Sequence, residues 1–281
     1  QDIRIFFAVV SGVVAGVAIG VVTEYYTSAD YKPVRKLADT TETGAATVIL
    51  GGISLGMTST VVPVLLICAA TLISYFFSGL YGVACSAVGM LSITGMSLSV
   101  DAYGPISDNA GGIAEMSELP EGVRNITDKL DAVGNTTAAM GKGLAIGSAA
   151  LTALSLFSAY AQAAGLKSID LNNPHVMVGL FLGGMLPFLF SAQTIAAVQE
   201  AAGKMVEEVR RQFKEHPGIM DYSEKPDYKK CVAISTEASL HKMIVPGLLA
   251  IVAPVVVGFV LDAEALGGLL GGAIVTGVML A

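Results

Sequence analysis

Asp101, Asp108 and Glu115 recur every seven residues through Asp101-Ala-Tyr-Gly-Pro-Ile-Ser-Asp-Asn-Ala-Gly-Gly112 and the turn that follows it. Seven residues are two helical turns, so an unbroken helix places all three carboxylates on one face. Carboxylate oxygens are hard ligands of the kind Mg²⁺ and Ca²⁺ take, and Mg²⁺ usually arrives with substrate phosphates. Asp108, with Asn109 and the pair Gly111-Gly112 beside it, is the metal-ligand candidate. Asp101 lies deeper, at the end of a long apolar run. A carboxylate there needs a proton, a cation or a partner, and we expect it to serve ion transfer. Pro105, between the two, has no N–H and should loosen the local ladder.

A second polar cluster opens the next apolar run. Asp128, Asp131 and Asn135 step by three and four, one face of a helix. Asn135-Thr136-Thr137 offers oxygens next to the first cluster, and Asn135 is the site candidate there. The same tripeptide has the form of a glycosylation acceptor, which a cytoplasmic, buried position would rule out. Asp128 either joins the site or complements the helix dipole. Lys142, further in, either snorkels or pairs with a carboxylate. Glu237, His241 and Lys242 sit one turn apart and are expected to pair locally, and His175 is expected at the interface. Cys68, Cys85 and Cys231 form no disulfide framework or metal spacing and read as small hydrophobes. No Ser–His–Asp arrangement, phosphate-binding glycine loop or zinc spacing is present.

The elements that must carry these residues are membrane helices. The chain is 53% hydrophobic and 14% charged, well below the quarter or so of charged residues in soluble domains. Apolar stretches of spanning length fall at residues 3–26, 44–77, 80–108, 130–165, 174–210 and 231–261, with an incomplete one at 264–281. The fold class is all-α, a polytopic transmembrane helix bundle, with residues 1–281 part of a single membrane domain. Pro63, Pro187, Pro246 and Pro254 lie inside these spans as kinks. Small residues four apart recur at Gly12, Gly16 and Gly20, at Gly143 and Gly147, at Gly179 and Gly183, and at Gly267 and Gly271, a spacing for close helix packing in lipid. Basic residues gather in alternate loops (Lys32, Arg35, Lys36; Arg124, Lys129; Arg210 to Lys230), which the positive-inside rule assigns to the cytoplasm together with Asp108 and Asp128. No basic stripe with interleaved aromatics supports nucleic-acid binding. A chain that starts at Gln1 and ends inside an apolar run is expected to be an internal piece of a longer polypeptide.

Residues 101–116, DAYGPISDNAGGIAEM, and 127–143, TDKLDAVGNTTAAMGKG, closely resemble the two long motifs of the membrane-bound, ion-pumping pyrophosphatases. Shorter matches are Glu24 to Thr27, Leu186 to Phe188, Lys204 to Phe213 and Ile234 to Ser239. The resemblance implies a homodimer in the lipid bilayer that hydrolyses cytosolic Mg²⁺-pyrophosphate and moves H⁺ or Na⁺ outward. It implies that Asp108 binds Mg²⁺ and that Asn135 lines the pyrophosphate site. Asp101 and Lys142 would then lie on the coupling path. The family divides by potassium dependence at the positions of Ala138 and Gly141, and both residues here match the potassium-dependent pattern, so K⁺ is the second expected cofactor. The family's main acidic motif and its last Asp/Lys cluster have no counterpart in this chain, so the fragment alone should not turn over, and the residues that activate water are unknown. The rival reading is a secondary transporter without hydrolysis, whose acids would sit at the midplane rather than at one mouth.

Overall fold

A computed structural model describes residues 2–281, and the described residues are helical with no strand. The helices are α1 (Asp2–Thr27), α2 (Lys32–Asp39), α3 (Ala45–Ser59), α4 (Val61–Leu91), α5 (Thr94–Met116), α6 (Glu121–Ala163), α7 (Pro174–Glu215), α8 (Tyr228–Lys242), α9 (Ile244–Val260) and α10 (Ala263–Leu280). Six continuous helical stretches are long and apolar enough to cross a bilayer. Large apolar side chains face outward on them, Phe76 and Phe259 among the most exposed, as lipid-facing surfaces require. The protein is an integral, multi-pass helical membrane protein.

The chain folds as two compact units, one reaching Tyr160 and one running from Ala161 to Leu280. In the first, Ala15 and Ile19 of α1, Val83, Ala87 and Met90 of α4, and Leu144 and Leu151 of α6 form the core. Glycine lets these helices meet at backbone distance. A methyl group on Gly12 would lie 1.9 Å from the Ser86 carbonyl oxygen, and one on Gly89 2.3 Å from that of Val9. Gly143 and Gly147 of α6 open space for Ile19. In the second unit α7 and α10 are joined the same way. Gly179 and Gly183 face the carbonyls of Ala265 and Leu269, and Gly268 and Gly272 face those of Val176 and Leu180. The close contacts of α10 thus use glycines one residue beyond the expected Gly267 and Gly271, because each glycine doublet offers two registers and the helix phase selects the second.

Several expected spans are divided. The break near Gly79 is present inside α4, where Ser78 leaves helical geometry and Gly79 takes φ +62°. Pro63 and Pro246 lie, as expected, inside continuous helical stretches, and the helical pattern is interrupted for a single residue, Thr60 or Met243, three residues before each proline, with both residues still in right-handed helical geometry. Proline has no N–H and so removes one bond from the ladder, which accounts for an interruption just ahead of each. Pro105, Pro187 and Pro254 stay inside helices. α6 has 43 residues and α7 has 42. At about 1.5 Å per residue each is roughly twice the ~30 Å hydrocarbon thickness, so both project far beyond it.

Candidate functional site

α5 stays helical through Pro105 and through Gly111-Gly112, so Asp101, Asp108 and Glu115 do share a face. Four residues later α6 returns antiparallel to it. The pairing rests on a glycine contact, with a methyl group on Gly134 coming within 2.6 Å of the Gly104 Cα, and Gly111 lies against Thr127. Ser107 is buried in this seam and donates to the Gly104 carbonyl at 2.8 Å.

Arg124 closes the end of the hairpin. It donates to Glu115 at 2.6 Å, to Asp128 at 2.7 Å and to the Gly111 carbonyl at 3.2 Å. Glu115 and Asp128 thereby share one guanidinium as ion-pair partner. Asp128 is eight residues into α6 and is the i,i+4 partner of Arg124, not a complement to the helix dipole. Sequence reading counted Arg124 only as loop charge. Asp128 stands at i,i+4 from it, but Glu115 and Gly111 lie on the other helix, and only the hairpin register joins those to it.

Asp101, Asp108 and Asp131 form no ion pair among the described residues. Counted from the Gly104–Gly134 contact at about 1.5 Å per residue, Asp131 stands level with Asp108 and Ala138 with Asp101, while Asn135 falls between and Lys142 lies deeper. Asp108 is exposed and Asp101 half-buried, and among the described residues neither has a hydrogen-bond or ion-pair partner. Asn109 donates to the Pro105 carbonyl at 2.6 Å, occupying an acceptor near the proline. Asn135 is exposed, not buried as expected, because it faces away from the Gly104–Gly134 seam. Its Nδ2 donates to Asp131 Oδ2 at 3.0 Å. Asp131 Oδ1 and the Tyr103 hydroxyl are buried and without partners. Lys142 is exposed and forms no ion pair among the described residues, so the expected pairing with a carboxylate is not made here. Nothing lies within 4 Å of a methyl group placed on Gly141.

These donors suit Mg²⁺ in type but not in number. Unpartnered carboxylate oxygens are what the ion takes, yet the described residues bring together no group of three acidic, histidine or cysteine ligands. Among the described residues the hairpin thus presents Asp108 as an unpartnered carboxylate and not a complete metal centre.

The second unit holds its own polar clusters. Lys242 bridges from α8 to Glu200 of α7 at 2.5 Å, and Lys204 pairs with the same carboxylate at 3.0 Å. His241 bonds the Glu237 main-chain carbonyl at 3.0 Å. The expected local pairing of Glu237 with His241 or Lys242 is thus replaced by a bridge between helices, since α8 packs along α7 and brings Glu200 nearer. Further along, buried Glu208 accepts from Arg211 and Gln212, and Gln212 holds Asp227 through its main chain. At the other end, His175 pairs with Asp262 and Asn173 with Glu264.

An α-helical membrane protein with acids and a carboxamide gathered on one helical hairpin defines the class. The chain belongs to the inorganic H⁺ pyrophosphatase family, whose model matches residues 1–281. It is 60% identical over 277 residues to a putative K⁺-stimulated pyrophosphate-energized sodium pump of Clostridium tetani, which covers 96% of this chain and 41% of that protein. It is 53% identical over 290 residues to a K⁺-insensitive pyrophosphate-energized proton pump of Methanosarcina mazei, covering 100% and 43%. Identity to a K⁺-stimulated pyrophosphate-energized sodium pump of Thermotoga maritima is 46% over 288 residues, covering 98% and 40%. The chain spans about two-fifths of the length of these relatives.

Proposed function

We propose that the whole protein hydrolyses Mg²⁺-pyrophosphate at its cytoplasmic face and couples this to outward movement of H⁺ or Na⁺, as a homodimer stimulated by K⁺. The observation that carries the reading is the α5–α6 hairpin of a family member. Asp108 on one helix and Asn135 on the other stand on the same antiparallel pair, and the neighbouring acids Glu115 and Asp128 are already engaged by Arg124. Asp108 would hold Mg²⁺ and Asn135 would contact the bound substrate. Bound Mg²⁺ would supply charge neutralisation on the diphosphate. Asp101 and Lys142, deeper on the same two helices, would carry the link to ion movement. Relatives bearing this hairpin are named as sodium pumps and as proton pumps, so both ions belong to the reading.

The test is reconstitution of the whole protein in sealed vesicles. Pyrophosphate with Mg²⁺ added outside should release phosphate and drive H⁺ or Na⁺ inward in the same samples. Ion exchange without phosphate release would overturn the reading in favour of a secondary transporter.

A further inference from the structure

Asn135 is held by a carboxylate, and that fixes which end of its amide faces the site. An ionised carboxylate only accepts, so the group facing Asp131 must be the amide nitrogen. The contact is Nδ2 to Asp131 Oδ2 at 3.0 Å, one helical turn apart on α6. The Asn135 carbonyl oxygen occupies the other branch of the amide and points away from Asp131. Phosphate oxygens are acceptors and call for N–H, whereas an amide oxygen suits a metal ion or its bound water.

Asp131 is also free to act. It is half-buried, and its second oxygen is buried and without a partner. Of the cationic side chains on its own hairpin, Arg124 is committed to Glu115 and Asp128, and Lys129, two residues before Asp131 on α6, projects from a different face of the helix. Lys142 is eleven residues along α6 and exposed. Among the described residues Asp131 thus forms no ion pair, and the one side chain it holds is Asn135.

We propose that Asp131 is a positioning residue that holds Asn135 with its amide oxygen toward the Mg²⁺ side of the bound substrate rather than toward the phosphate oxygens. The inference rests on the proposed placement of Asn135 in the pyrophosphate site. Outer partners that orient a ligand typically shift metal affinity by about 10–100-fold when removed. Asp131→Asn keeps the shape but lets the amide turn over.

The experiment uses the purified full-length protein as wild type, Asp131→Asn, Asn135→Ala and the double variant. Two quantities are read: the Mg²⁺ concentration giving half of the thermal stabilisation in the presence of methylenediphosphonate, a non-hydrolysable diphosphate, and the Mg²⁺ dependence of pyrophosphate hydrolysis. Asp131→Asn should raise both Mg²⁺ midpoints by about tenfold or more, with the pyrophosphate KM at saturating Mg²⁺ little changed. It should add nothing in the Asn135→Ala background, since a positioning residue has no effect once its target is gone. Unchanged midpoints, or effects that multiply in the double variant, would overturn the proposal alone. If Asn135→Ala hydrolyses normally, the placement of Asn135 itself fails. Should Asp131→Asn not insert, Asp131→Glu carries the test: its displaced carboxylate should move the midpoints the same way, and unchanged midpoints would overturn the proposal.

Discussion

At Ala138 the side chain ends in a methyl group, and one turn further Gly141 has open space around it. A monovalent cation placed there would offset repulsion between pyrophosphate and the nearby carboxylates. Ala138→Lys should put a tethered ammonium in that space and reduce K⁺ stimulation of the whole protein, most completely with Gly141→Thr added. A K⁺ titration of hydrolysis at fixed Mg²⁺ and ionic strength checks this, and full wild-type activity without K⁺ would contradict it. On the proposed function Asp101, half-buried and without a partner among the described residues, would serve ion transfer. Asp101→Asn should lower the number of ions moved per phosphate released, measured in sealed vesicles, with pyrophosphate KM little changed. A large rise in KM with unchanged coupling would mark it as a binding residue instead. The heptad of Asp101, Asp108 and Glu115 could be read from the sequence because helical periodicity alone sets it. The bonds of Arg124 to Glu115 and Gly111 and of Lys242 to Glu200 could not, because each crosses between helices and depends on their register.

The helix pairs rest on absent side chains. A methyl group on Gly183 would meet the Leu269 carbonyl oxygen at 1.9 Å, a distance that must move one backbone or the other. Gly183→Ala should therefore destabilise the protein, by about 1–3 kcal/mol for overpacking alone, as a lowered thermal midpoint in detergent. Gly203→Ala, also in α7 but with nothing within 4 Å, should be neutral or slightly stabilising. Equal effects at both positions would contradict the packing described. The loop end of the same pair is pinned by Asp262, which accepts from the Ala265 N–H at 2.7 Å and pairs with His175. The Ala265 N–H first, and then His175, hold its carboxyl below the usual carboxylate range. A depressed carboxyl contributes stability above its unfolded value, about 3.9, and loses it as pH falls through the lower folded one. Asp262→Ala should cost about 1 kcal/mol at neutral pH as a lost helix cap, and the difference from wild type should shrink below about pH 4. A difference that persists undiminished in acid would argue against this role. Glycine spacing announced the close packing, but not which glycine of each doublet is used. That choice belongs to the rotation of one helix against another.

For the whole molecule, what could be read most fully was class and span content. Apolar run length and charge position follow from the bilayer, whatever the neighbours do. A complete site could not be read, since the chain spans about two-fifths of the length of its relatives and its described residues bring together no group of three metal ligands. The central claim is the proposal that in the whole protein the α5–α6 hairpin binds the metal of Mg²⁺-pyrophosphate through Asp108. Its most direct test is phosphate release from Mg²⁺-pyrophosphate by full-length Asp108→Asn, with membrane insertion and thermal midpoint measured on the same preparation. The account predicts a properly inserted protein with hydrolysis abolished. Near-normal hydrolysis by that variant would contradict it.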